Sequence, residues 1–273
     1  MSNLSIRLPD LLLYFGFSVA LVSLIVACAT SSSPAPTAEL APTGRLRAAI
    51  NLGNPILASK DSAGQPHGVS VDLARELGKR LGVPVEMVTF DAAGKVVDAV
   101  KAAQVDIAFV AIDPVRGAEM LQTSPYVIIE GAYLVRNDST IQNNAEVDRP
   151  GNRIAVGRGS AYDLYLSREI KAATLLRAPT SPAVVDYFLV EGLEVAAGVK
   201  QQLQLDAKRL PGLRLLDGRF MVIQQAMGLP KGREAGARYL TRFVEEMKAS
   251  GFVAAPLARH GIEGAAVAPP APF

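Results

Sequence analysis

Apolar positions along the chain fall into short continuous runs, separated by segments in which they recur with a helical period. The runs "LRAAINL", "VPVEMVTF", "VDIAFVAI", "RIAVG", "LEVAAG" and "LRLLDG" are apolar on both faces and predict buried strands. Between them lie the segments "VDLARELGKRLG", "GKVVDAVKAAQ", "YDLYLSREIKAA", "AVVDYFLVEG" and "GARYLTRFVEEMKASG". Their apolar residues sit at three- and four-residue intervals, which predicts helices. In the first, Val71, Ala74, Leu77 and Leu81 share a face, and Gly82 supplies the left-handed residue that closes a helix. Strands alternating with helices predict an α/β fold with a mostly parallel sheet covered on both sides.

Two long extended runs break this rhythm, "VIIEGAYLVRNDS" (127–139) and "RFMVIQQAMGLPKG" (219–232). Long strands bracketing a β–α block predict two crossovers between two lobes. Residues 44–132 and 226–263 would form lobe 1, drawn from both ends of the body, and residues 133–225 lobe 2.

The ends read differently. Leu11 to Cys28 is apolar throughout and long enough to anchor in a membrane. Small residues precede Cys28 and an Ala/Ser/Pro/Thr-rich stretch follows it, which favours a cleaved signal over residues 1–28. An uncleaved anchor is the other reading, and the rest of the chain is exported under both. Residues 29–43 read as a flexible tether and 264–273, "GAAVAPPAPF", as a disordered tail.

Composition narrows the chemistry. Among 273 residues, 28 Lys and Arg stand against 26 Asp and Glu, and no basic run interleaves with aromatics. Nucleic acid is therefore not an expected partner. Cys28 is the only cysteine, which excludes an internal disulfide and a Cys-rich zinc site. The two histidines, His67 and His260, lie beside glycines with no ligand spacing and read as loop residues. No metal, cofactor or catalytic triad is expected.

"DIAFVAIDPVRGAEM" (106–120) raises a question of charge. Asp113 and Pro114 read as N-cap and first residue of a helix, which places Arg116 in its first turn. That end of the macrodipole disfavours a cation by about 0.3–1 kcal/mol. Either Arg116 pairs locally with Asp113 or Glu119, or it waits for an anion. "RIAVGRGSAYDLYL" (153–166) places a Gly-Arg-Gly-Ser turn between a strand and a helix start. Such a turn predicts outward N–H groups suited to an anion, although Ser160 followed by Asp163 also reads as a helix cap.

From Arg45 to Ile262 the chain resembles bacterial extracellular solute-binding proteins, family 3, of the polar amino-acid type. The pieces that carry the resemblance run in order: "LRAAINLGNPILA", "GVSVDLARELGKRLGVPVEMVTF", "AIDPVRGAEMLQTSPY", "AYLVRND", "RIAVGRGSAYDLYL", "APTSPAVVDYFLVEGLEVAAG" and "GLPKG". It implies the type II periplasmic binding protein fold, two α/β lobes joined by a two-strand hinge, with the ligand in the cleft. It also implies a periplasmic monomer that delivers solute to the transmembrane subunits of an ABC permease. The start resembles a lipoprotein signal, so Cys28 would carry the lipid, palmitate included, and anchor the protein to the inner or outer membrane. Ala29 after that cysteine leans towards the outer one.

The resemblance assigns Arg116 to a ligand carboxylate, with Ser160 and Gly159 as the partners from the opposite lobe. A guanidinium fork fits a carboxylate bidentately. Ala111 stands where members carry a hydroxyl, and Asn54 falls in a segment, Asn54–Leu57, where they carry an aromatic platform. Val199 occupies the position of the aspartate that receives an α-ammonium. A buried ammonium without a counter-charge costs several kcal/mol, so the expected ligand is a small carboxylate-bearing solute, amino acid-like or an organic acid: either one without a free α-ammonium or an amino acid held in an unfamiliar way. Asp113 and Glu191 are the acids left to replace the missing one. Two other functions share the scaffold: a prephenate- or cyclohexadienyl-type dehydratase, and a sensory or degenerate binding protein without a permease. No catalytic pair of acids is visible, so no catalytic residue and no enzyme activity is expected.

Overall fold

The structure is a computed structural model and describes residues 36–259, 262 and 264–272. A short helix α1 (Pro36–Leu40) leads to β1 (Leu46–Asn51), the hairpin of β2 (Ser59–Lys60) and β3 (Pro66–His67), and α2 (Val69–Leu81). Next come β4 (Val85–Phe90), α3 (Ala93–Lys101), β5 (Ile107–Ala111), α4 (Pro114–Gly117) and the long β6 (Met120–Arg136). A second α/β block follows: β7 (Arg153–Gly157), α5 (Ala161–Glu169), β8 (Thr174–Ala178), α6 (Val184–Val190), β9 (Val195–Val199), α7 (Lys200–Arg209) and β10 (Leu213–Leu215). The chain returns through β11 (Met221–Pro230) to α8 (Glu234–Ala249), α9 (Ala254–Arg259) and β12 (Ala266–Val267).

The strands line up as β4-β1-β5-β11-β6-β9-β7-β8. Each outer trio is parallel, β1 with β4 and β5, and β7 with β8 and β9, as buried βαβ units require. Between the trios β6 and β11 run antiparallel, β11 also pairing β5 through Gln225–Gly228 and β6 pairing β9 through Gly131–Leu134. One strand therefore serves two cores. Tyr126, Val127 and Ile129 of β6 pack with the first lobe, and Tyr133 and Val135 with the second. The periodic helices form as expected. Val71, Ala74 and Leu77 of α2 are buried, and Gly82 ends that helix at φ 68°.

Several expectations are corrected. The helix after Asp113 is a single turn, so it has almost no macrodipole to oppose Arg116. Residues 36–43 do not behave as a tether. Leu40 is fully buried, the Glu39 carboxylate accepts from Gly236 N at 2.7 Å, and Arg233 Nη1 donates to Glu39 O at 2.8 Å. The described part of 264–273 is not a disordered tail. β12 pairs with β6 at Ile128 and Val127, and Ala268 N donates to Tyr126 O at 3.1 Å. The reason is the edge of β6. β9 reaches only Gly131–Leu134, and the returning tail covers backbone groups that β9 leaves open.

The helix α7 and the edge strand β8 carry weak patterns. The buried residues of α7 are Gln201, Leu203 and Asp206, so polar side chains occupy its inner face and no apolar stripe appears. The apolar run ending at Cys28 and residues 29–35 lie outside the described residues. Among the described residues no helix is long and apolar enough to cross a membrane.

Candidate functional site: a cation buried between two lobes

Arg116 sits at the end of α4 with only 2 % of its surface exposed. Its Nη1 donates to Ala111 O at 3.0 Å, and its Nη2 crosses the gap to Gly159 O on the second lobe at 2.9 Å. Its Nε finds no partner among the described residues. Burial pushes the guanidinium down to about 10, with the Asp113 charge pulling the other way, so it stays charged at neutral pH.

Neither local acid neutralises it by contact. Asp113 is the N-cap, its Oδ1 accepting from Val115 N at 2.9 Å, while its Oδ2 accepts from Arg168 Nη2 of α5 at 2.8 Å. Glu119 pairs with Lys101 at 3.3 Å. The local-pair reading of Arg116 therefore fails, and the Asp113–Arg168 pair becomes a second link between the lobes.

The Gly-Arg-Gly-Ser turn departs from its expected anion-binding form. Its backbone donors are engaged within the second lobe: Arg158 N on Ala178 O, Gly159 N on the Asp163 carboxylate and Ser160 N on Gly157 O. Ser160 Oγ accepts from Asp163 N at 3.0 Å, which completes a reciprocal cap. What the turn presents to Arg116 is a carbonyl. Gly159 adopts φ 67°, and a Cβ there would lie 3.1 Å from Gly94 Cα at the start of α3.

Around Arg116 the lobes enclose a cavity of about 30 Å³, which admits only a few atoms in this closed arrangement. Asn54, Ala111, Ser160 and Val199 line it together with Arg116. Asp113 lies outside the lining, and Glu191 is exposed at the end of α6, so neither substitute acid faces the cavity. Asn54 Oδ1, like Arg116 Nε, is buried and has no hydrogen-bond partner among the described residues, so a donor and an acceptor on two residues of this lining are left unsatisfied.

Sequence reasoning missed Gln225, Tyr162 and Ser181 in this lining. Gln225, opposite Ala111 on β11, is 7 % exposed, and a polar residue inside the apolar run "VIQQAMG" was its available signal. Burial pushes the Tyr162 hydroxyl up to about 12, opposed by hydrogen bonds with Ser181 and Ser160. No comparable pattern marked Tyr162 or Ser181. Among the described residues no His, Cys, Asp and Glu cluster is placed to hold a metal.

Two α/β lobes on a two-strand hinge, with a charged side chain and polar groups converging in the gap, define a two-lobed solute-binding protein. The chain belongs to the bacterial extracellular solute-binding proteins, family 3, whose model matches residues 46–261. Its fold is that of the type II periplasmic binding proteins.

A binding component of an ABC transporter from Wolinella succinogenes, complexed with lysine, superposes with a TM-score of 0.69 at 21% identity, over 80% of this chain and 95% of that one. The solute receptor for L-cysteine of Neisseria gonorrhoeae gives 0.71 at 20%, over 82% and 91%. An ancestral amino acid-binding protein, a precursor of cyclohexadienyl dehydratase, gives 0.69 at 20%, over 81% and 97%. Likeness at these identities establishes the fold. No curated protein sequence matches the chain.

Proposed function

We propose that this protein is the receptor of an ABC transporter, held to a membrane on the periplasmic side by a lipid on Cys28. In this reading it is a monomer that binds a small carboxylate-bearing solute between its lobes. Residues 44–132 with 226–263 would move as one body and 133–225 as the other. The observation that supports it is a charged, fully buried guanidinium whose contacts are two neutral carbonyls. A carboxylate offers that fork two charged acceptors in place of neutral ones, and charge-assisted hydrogen bonds are about twice as strong.

Ser160, Gly159 and Asn54 would take part from their places around the same space. Gly159 O lies on the opposite lobe from Arg116, so an arriving carboxylate would exchange against an inter-lobe bond and binding would be linked to lobe movement. With Val199 and Ala111 in the lining and no carboxylate among the described lining residues, a free ammonium has no counter-charge there. The favoured guests are small hydroxy, keto or simple carboxylic acids. No carboxylate among the described lining residues is placed to serve as the acid or base of a dehydration, which supports binding over catalysis.

Native mass spectrometry of freshly purified protein, followed by calorimetry with a panel of small carboxylic acids and L-amino acids, tests the reading. A co-purified small acid and selective binding of the acids would support it. Tight binding of a standard L-amino acid through its ammonium would refute the ligand class, and binding of neutral sugars alone would refute the carboxylate site altogether.

A further inference from the structure

Beside Arg116 the fold leaves one neutral polar side chain unused, that of Gln225. It lies on β11, a central strand, paired with Ala111 of β5 on one side and Val127 of β6 on the other. The register against β6 slips between Gln225 and Ala226, a bulge of the kind that re-aims side chains beside a site. Ile223, two positions earlier on the same face of the strand, lines the cavity together with Gln225. Gln225 is 7 % exposed, yet its amide makes no hydrogen bond among the described residues. Arg116 Nε and Asn54 Oδ1 are sealed without accessible surface, whereas both amide atoms of Gln225 keep theirs.

The other neutral polar groups of the lining are engaged. Asn51 Oδ1 accepts from Gly53 N at 3.0 Å, Ser160 Oγ accepts from Asp163 N at 3.0 Å, and the Tyr162 hydroxyl is bonded to Ser181 and Ser160. An amide held inside a sheet without partners is unfavourable, so Gln225 calls for a polar group from outside the fold. Its position limits what it can read. Ala111, directly opposite Gln225, gives its carbonyl to Arg116 Nη1 at 3.0 Å. A group that meets this amide while a carboxylate sits on the guanidinium is therefore carried close to that carboxylate, on the adjoining carbon.

We propose that Gln225 is a specificity-determining residue of the cleft, selecting 2-hydroxy carboxylates among small acids. This rests on the carboxylate reading of Arg116. A hydroxyl donates to Oε1 and accepts from Nε2, so it can use both ends of the amide. A keto oxygen only accepts and leaves Oε1 without a donor, and a methyl group serves neither end. An ammonium donates to Oε1 but brings a charge that a neutral amide does not balance.

Lactate, isobutyrate and alanine share one skeleton and differ at the second carbon by a hydroxyl, a methyl and an ammonium group. Calorimetry on the full chain should give the better-bound enantiomer of lactate an affinity about tenfold above isobutyrate and at least that far above alanine. Gln225→Met, similar in shape, should bring the lactate-to-isobutyrate ratio to about one, a change that general loss of the fold would not produce. If that variant does not fold, the wild-type ratio still decides. The proposal is overturned if wild type binds lactate no tighter than isobutyrate, if Gln225→Met keeps the wild-type ratio, or if none of the three binds. Equal binding of lactate and isobutyrate that is lost in Arg116→Met would leave the carboxylate reading standing. That reading falls only if a wider panel of acids fails as well.

Discussion

Arg116 Nη2 lies 2.9 Å from the carbonyl oxygen of Gly159, so a single buried guanidinium ties the end of a strand in one lobe to a helix-start turn in the other. The same side chain has no ion pair among the described residues, while Asp113 beside it is committed to Arg168 at 2.8 Å. Stability and binding therefore make opposite demands on this position.

Replacing Arg116 by Met should expose that conflict. Exchanging a buried unpaired charge for an apolar side chain of similar length is often neutral or stabilising, by up to about 1–4 kcal/mol. Ala111 O keeps a donor in Gln122 Nε2 at 3.2 Å. The variant should unfold at the same or higher urea concentration while carboxylate affinity falls about a hundredfold, two charge-assisted hydrogen bonds being lost. A variant that is strongly destabilised and still binds would contradict the assignment of Arg116 to the ligand.

The two glycines facing each other across the gap should respond unequally. Gly159 is left-handed at φ 67°, and a Cβ there meets Gly94 Cα at 3.1 Å, so Gly159→Ala should cost about 1–2 kcal/mol and hold the lobes apart. Gly94→Ala places its Cβ 3.8 Å from Gly159 Cα, an ordinary contact, and within α3 alanine is better by about 0.5–1 kcal/mol. Urea titration and small-angle scattering measure both effects. Equal behaviour of the two variants would mean that this close approach does not govern closure.

Asp106 should control acid stability. It is fully buried, accepts from Arg47 Nε and Nη2 at 2.9 and 2.8 Å and from Arg233 Nη1 at 3.0 Å. Burial pushes its carboxyl up, but the Arg47 and Arg233 donors outweigh that and hold it below the usual carboxylate value. Since the folded value lies below the unfolded one, the contribution is complete above the unfolded value of about 4 and is lost as pH falls through it towards the folded value. Asp106→Asn should cost about 3 kcal/mol at neutral pH, leaving two part-buried cations short of a partner, and should lose less on acidification than wild type. Parallel losses in both proteins between neutral and acid urea titrations would show that Asp106 is not the controlling group.

Removing residues 264–273 should weaken the fold without unfolding it. The truncation deletes the β12 pairing, the Ala268 N bond to Tyr126 O, and the Lys248 Nζ bond to Pro269 O at 2.9 Å. At about 0.5–1.5 kcal/mol for each bond, a net loss of about 2 kcal/mol is expected. Hydrogen exchange should quicken at residues 126–128 ahead of the rest of β6. An unchanged melting temperature would show that the tail rests on the surface without contributing.

Much of this was visible in the order of residues. The period in 71–81 placed α2, the two long extended runs placed the hinge strands, and Asp-Pro followed by Arg marked Arg116. These signals are local because strand, helix and cap preferences depend on neighbours a few residues away. The polar inner face of α7 defeated the same method, and so did the tail, whose role depends on a strand edge that β9 fails to cover.

By itself the sequence determined the alternation of strands and helices, the two crossovers and the presence of an unusual arginine, since periodicity and turn chemistry are written along the chain. Only tertiary structure decided that Asp113 turns to Arg168, that the turn before α5 offers Arg116 a carbonyl, and that Gln225 closes the space around it. Those outcomes depend on which groups from distant segments compete for the same donors and acceptors. That competition exists only once both lobes are packed against each other.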